Sequence, residues 1–121
     1  MPTEWDEEGA RRDFQAEKFV SLSIDWVVEA TFWDRDGGAV GLDWVPITDD
    51  LRKRFVAWWN WAGYRHEIGG ETRREKDNAP FPDIAEFEAE GRAIAVEMKR
   101  QLPDWQVEYY ADYSTRRKAI L

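Results

Sequence analysis

The sequence predicts a single α+β domain: a small antiparallel sheet, made of a β-hairpin and a C-terminal strand, with two amphipathic helices packed on one face and a weak N-terminal helix. Three observations carry this. Apolar residues alternate with polar ones from Phe19 to Trp33, the period of a strand with one buried face. Leu51, Phe55, Trp58, Trp59 and Ala62 recur at helical spacing, and Ile84, Phe87, Gly91, Ile94, Met98 and Leu102 step by three and four in a second helical seam.

Each element has its own signals. Residues 4–18 suggest a short helix capped by Thr3, with Asp6 as reciprocal partner and Glu7 and Glu8 against the positive helix end. Gly9 weakens it. In the long strand Val20, Leu22, Ile24, Trp26, Val28, Ala30 and Phe32 share one face, and its length predicts a bulge or bend. Asp34-Arg35-Asp36-Gly37-Gly38 reads as a turn, after which Val40, Leu42 and Trp44 alternate as the second hairpin strand, closed by Pro46. Thr48 caps the first strong helix, Asp49 and Asp50 suit its first turn, and Gly63 stops it.

The second strong helix opens on a capping box of Asp83 with Glu86 and ends at Pro103. Gly91 lies within its buried seam at a cost of about 1 kcal/mol against alanine, so a bulky ring, Trp58 or Trp59, is expected to pack there. Trp105, Val107 and Tyr109 alternate as the last strand, expected to pair with the hairpin. The whole of 1–121 is one domain, with 1–18 a helical extension, 64–82 a charged mobile loop and 114–121 a basic, loose tail.

Composition narrows the chemistry. The chain has 121 residues, 43% of them hydrophobic, and eight tryptophans, which argues against disorder although 35% are charged. It has no cysteine, so disulfides, thiolate metal sites and cysteine nucleophiles are excluded. The acidic start lacks the pattern of a signal peptide, and no apolar run approaches the ~20 residues that span a bilayer. A cytoplasmic protein without membrane contact is the expectation. The net charge of −8 repels nucleic acid and steers the chain towards a partner with a basic surface.

No catalytic, cofactor or metal site can be picked out. The sole histidine, His66, stands in the charged loop without the context of a nucleophile and its base. Asp34-x-Asp36 resembles the start of a calcium loop, but its glycines fall too early and Val45 occupies the position of the bidentate glutamate. Gly37-Gly38 and Gly69-Gly70 lack the context of a phosphate cradle. The basic clusters Arg52-Lys53-Arg54, Arg73-Arg74 with Lys76, and Arg116-Arg117-Lys118 are each diluted by acids, so no direct nucleic-acid binding is expected.

Two candidate surfaces remain. Three tryptophans in four residues, Trp58, Trp59 and Trp61, cannot all enter one core. Trp61 is therefore expected to be partly exposed, with Tyr64 along the same edge and Arg54 beside it; aromatics with arginine are the usual anchors of protein interfaces. Glu86, Glu90 and Glu97 share a face away from the seam of the second helix and can form an acidic patch.

Trp33-Asp34…Gly38, Pro46-Ile47-Thr48, Leu51, Phe55 and Trp58, then Phe87, Glu90-Gly91-Arg92, Ala95, Leu102-Pro103, Val107 and Tyr109 resemble a pattern of small uncharacterised bacterial proteins, over about residues 26–110. The resemblance implies no activity, and the acidic N-terminal extension and tryptophan density depart from it.

The reading that follows is a non-enzymatic protein-binding module, a small bacterial or phage inhibitor that occludes a partner as immunity and anti-defence proteins do. One alternative is an acidic mimic of nucleic acid, anti-CRISPR-like, that enters the groove of a DNA-binding protein. Another is an enzyme using carboxylates and His66. A homodimer through an open sheet edge or the tryptophan surface is a further option.

Overall fold

The computed structural model describes residues 6–23, 29–62, 65–68, 71–74, 84–112 and 117–121. It is an α+β fold, with elements in the order α1 (Glu7–Glu17), β1 (Phe19–Leu22), β2 (Phe32–Trp33), β3 (Ala39–Val40), a 3-10 turn (Leu42–Trp44), α2 (Asp49–Ala62), β4 (Arg65–Ile68), β5 (Glu71–Arg74), α3 (Ile84–Gln101), β6 (Gln106–Asp112) and β7 (Arg117–Ile120). Five strands form one mixed sheet, ordered β3-β2-β1-β6-β7, and β4 and β5 form a separate two-stranded ribbon.

The expected hairpin is present as β2 and β3, with Phe32 opposite Val40 and Trp33 opposite Ala39. Asp34 builds its turn: one carboxylate oxygen accepts from the amides of Asp36 (2.9 Å) and Gly38 (2.8 Å), and Gly37 takes φ +83°. The segment from Phe19 to Trp33 is not one bent strand. β1 and β2 run antiparallel with Ser21 opposite Trp33, so the chain reverses between them; Ile24, Trp26 and Val28 lie outside the described residues. The expected strand Val40–Trp44 is likewise cut short, because Leu42–Trp44 coils into the 3-10 turn.

β6 pairs with β1 as expected of the last strand, but in parallel, with Phe19 opposite Gln106 and Leu22 opposite Tyr109. Both strands follow directly on a helix, and the two helix-to-strand turns lie side by side. Lys18 Nζ meets Asp104 Oδ2 at 2.5 Å, and the Gln106 amide donates to the Lys18 carbonyl at 2.8 Å. Strands entering from the same end must run the same way, and the long crossover through α2 and α3 permits it. β1 is consequently central and buried along its whole length, not on one face alone. Ser21 is flanked by its register partners Trp33 and Glu108, and Glu108 accepts from Gln106 Nε2 at 3.0 Å.

Two segments expected to be irregular carry strands. Within the charged stretch 64–82, β4 and β5 pair antiparallel, with Arg65 opposite Arg74 and His66 opposite Arg73. Within the basic tail, β7 pairs with β6. Neither has the apolar alternation that marks a buried strand; their order comes from backbone pairing, which composition does not report.

At the N-terminus Asp6 is the cap of α1, accepting from the Gly9 amide at 3.0 Å, where the sequence suggested Thr3, which lies outside the described residues. Lys18 closes the helix in a left-handed conformation. Phe14 is the buried anchor of α1, edge-on to Trp105 at 5.6 Å and tilted against Trp44 at 6.2 Å. Thr48 starts α2 as expected, its Oγ1 accepting from the Leu51 amide (3.3 Å), while Gln101 at the far end of α3 accepts from the Thr48 amide at 2.9 Å. The stops and caps assigned to Gly63 and Asp83 lie outside the described residues.

The core sits between the sheet and the helix pair. Leu51, Phe55, Trp58 and Trp59 of α2 and Gly91, Ile94, Ala95 and Met98 of α3 are buried against Val20, Leu22, Phe32, Val107 and Tyr109. Its aromatic rings are ordered in a chain: Phe32 stacks on Phe55 at 4.1 Å, and Trp58 stacks on Phe87 at 4.9 Å. Burying such rings contributes more than area alone when their polar atoms are met. Trp58 Nε1 donates to the Phe87 carbonyl (2.9 Å) and Tyr109 OH to the Glu88 carbonyl (3.0 Å).

Candidate functional site: a groove between the two long helices

Helical geometry sends Arg54, Ala57, Trp58 and Trp61 towards the side of α2 that meets the start of α3. On α3, Glu86 and Glu90 stand four residues apart, one turn above the other. These six residues line one open groove of about 480 Å³. The groove thus brings together part of each surface read separately from the sequence, Arg54 and Trp61 of the first and Glu86 and Glu90 of the second.

An ion pair bridges it. Arg54 donates through Nε to Glu90 Oε2 (2.9 Å) and through Nη2 to Glu90 Oε1 (2.7 Å), the fork geometry in which a guanidinium and a carboxylate match. Both side chains remain partly exposed, at 43% and 32%, so the pair is open to exchange with solvent or a ligand. The hydrogen bond to Glu90 raises the Arg54 pKa against a smaller opposing effect of burial, and the charges of Glu90 and Glu97 add to the rise.

Trp61 is half-buried. Its ring makes a T-shaped contact with Phe87 at 5.7 Å and also lines the groove. Glu86 is exposed. Tyr64 lies outside the described residues. Glu97 does not line the groove: about two turns beyond Glu90, its carboxylate accepts from the Arg100 guanidinium and from Gln101 Nε2 (3.2 Å). Those bonds, that of Arg100 foremost, hold it down to about 2.

The basic cluster at the start of α2 is taken apart by the fold. Arg52 turns inward with 21% of its side chain exposed and donates to the carbonyls of Leu42 (3.0 Å), Val45 (3.0 Å) and Ile47 (3.1 Å). It clips the 3-10 turn to the helix. A second open groove, of about 450 Å³, runs along the other flank of α2 and shares Ala57 with the first. The only sequence signal for it is a small residue at an exposed helical position between two longer ones, Lys53 and Asn60.

His66 falls in β4 opposite Arg73, so the segment expected to be an irregular loop around it is a strand; its side chain lies outside the described part. Among the described residues no three His, Cys, Asp or Glu side chains are grouped so as to hold a metal, and no helix is long and apolar enough to cross a membrane. Compared with known proteins, the chain matches no family model, no curated protein and no solved structure.

Proposed function

We propose that this chain is a non-enzymatic protein-binding module that occludes a partner, an inhibitor or immunity-type protein, and that the groove between α2 and α3 is its contact surface. One observation carries the reading: Trp61, Arg54, Glu86 and Glu90 line the same groove. A half-buried tryptophan and an arginine are residue types enriched in interface hot spots, where a few large side chains supply most of the binding energy, and the two carboxylates beside them add charge of the sign that a basic partner complements. The aromatic chain from Phe32 to Phe87 backs the groove with a rigid wall, which lowers the entropy lost on docking. The net charge of −8 favours a partner with a basic surface by steering the encounter.

Affinity capture from a producing cell tests this. Wild type is expected to retain one specific protein that is lost with Trp61→Ala and with charge reversal at Glu86 and Glu90, but kept with charge reversal at Glu8 on α1. Retention that ignores the groove changes, or no specific protein at all, defeats the reading.

A further inference from the structure

The N-terminal helix α1 is fastened to the fold at few points. Of its eleven residues only Phe14 is buried, its ring in T-shaped contact with Trp105 at 5.6 Å and tilted against Trp44 at 6.2 Å. Two polar side chains assist, and both reach the same 3-10 turn. Gln15 Nε2 donates to the Trp44 carbonyl at 2.8 Å, and Arg11 Nη2 to the Asp43 carbonyl at 3.4 Å, with Arg11 Nη1 3.7 Å from the Asp43 carboxylate. Glu7, Glu8, Arg12, Asp13, Ala16 and Glu17 are exposed. Every other member of the core cluster lies at Val20 or beyond, so the core owes α1 a single ring.

The character of the chain changes at Lys18. Its carbonyl accepts from the Gln106 amide at 2.8 Å and its ammonium meets Asp104, so this residue is fixed to the end of the sheet. Among the described residues it is also the one non-glycine with positive φ, at φ 52° and ψ 51°. That conformation is disfavoured for a residue with a Cβ, which crowds the following carbonyl oxygen. The docked position of α1 thus carries a conformational cost at the joint that sets its direction, and the Phe14 contact has to offset it. We infer that α1 is a strap that opens about Lys18 while the sheet and the α2–α3 pair stay folded, baring Trp44 and Trp105. A helix of eleven residues without its tertiary contacts does not persist in water, so α1 unwinds as it opens. Loss of one ring contact converts two covered indoles into an exposed apolar patch, a surface the closed protein withholds.

Native-state hydrogen exchange of the full chain, read by two-dimensional NMR at several low urea concentrations, tests this. The amides of residues 11–17 are expected to exchange at least about tenfold faster than those of residues 20–22 and 107–109, and with a weaker dependence on urea, the mark of an opening smaller than global unfolding. Phe14→Ala is expected to speed the α1 amides by about a hundredfold or more, the usual effect of deleting a buried ring, in a chain whose amides at 107–109 remain the slowest. Lys18→Gly, which removes the crowding at positive φ, is expected to slow the α1 amides by about fivefold.

Equal protection and equal urea dependence for α1 and the sheet amides would overturn the inference, since the helix would then leave only when the whole chain unfolds. So would α1 amides that ignore Phe14→Ala, or that exchange faster after Lys18→Gly. The comparison of α1 with the sheet is made on the wild-type chain, and it decides the matter even if Phe14→Ala fails to fold.

Discussion

The Trp58 indole lies against the backbone of Gly91: a Cβ placed on Gly91 would meet Trp58 Cζ2 at 2.5 Å and the Tyr109 hydroxyl at 2.6 Å. Both contacts are closer than carbon tolerates, and neither ring is free to retreat. Trp58 is stacked on Phe87 and tied to its carbonyl, and Tyr109 is tied to Glu88. Glycine in mid-helix here is the condition for α3 to approach the wall of the groove.

Gly91→Ala is therefore expected to destabilise the fold by about 1–3 kcal/mol, the usual cost of overpacking, although alanine is the better helix former by about 1 kcal/mol. Urea unfolding measures it. A gain in stability would mean that Trp58 can move and that the groove wall is soft.

That Trp58 or Trp59 packs on Gly91 was legible in the sequence, because a glycine in a clean apolar seam marks a place where a large neighbour comes close; that the ring is Trp58 depends on how α2 and α3 cross. The two long helices were legible for the same kind of reason: caps, period and stops agree on them. The Phe19–Trp33 alternation concealed a reversal, since period two reports which residues are buried and not where the chain turns. The parallel pairing of β1 with β6 was hidden because it depends on where α1 and α3 end in space, through Lys18 and Asp104. Of the site, Trp61, Arg54, Glu86 and Glu90 were legible singly; their meeting required the distance between α2 and α3, which no local pattern contains. Glu97 shares their helical phase, yet Arg100 one turn on takes its carboxylate.

Burial, with a smaller contribution from the charge of Glu88, raises the Tyr109 pKa far above its ordinary value of 10.0. A raised tyrosine pKa keeps the folded state protonated where the unfolded chain ionises, so the unfolded state releases its proton first. The associated stability is full below pH 10 and declines as pH rises beyond it. Tyr109→Phe is expected to cost about 1 kcal/mol near neutrality through the lost bond to Glu88. Above pH 10 the difference from wild type should shrink, as followed by thermal unfolding across pH; a constant difference would place the ionisation elsewhere.

Glu97 is held down to about 2, first by Arg100 and then by Gln101. A depressed carboxylate favours the fold above its ordinary 4.5, and that contribution is lost as pH falls towards 2. Carboxyl NMR of Arg100→Gln is expected to show Glu97 titrating closer to 4.5. An unchanged titration would assign the shift to another neighbour.

Arg52 offers a test of the clip beneath the helix. Arg52→Lys keeps the charge but replaces a planar fork that reaches three carbonyls by a single ammonium. The loss is expected to be about 1.5–3 kcal/mol, the worth of a charged hydrogen bond, in chemical unfolding. A neutral result would show that the 3-10 turn holds without it.

The dissociation constant of the purified complex decides whether partner binding runs through the groove. Measured by calorimetry, Trp61→Ala is expected to weaken binding by about tenfold or more, the mark of a hot-spot residue, and Glu90→Lys by at least as much, while Glu8→Lys on α1 leaves it unchanged. Equal affinities for all four chains would rule the groove out as the contact surface.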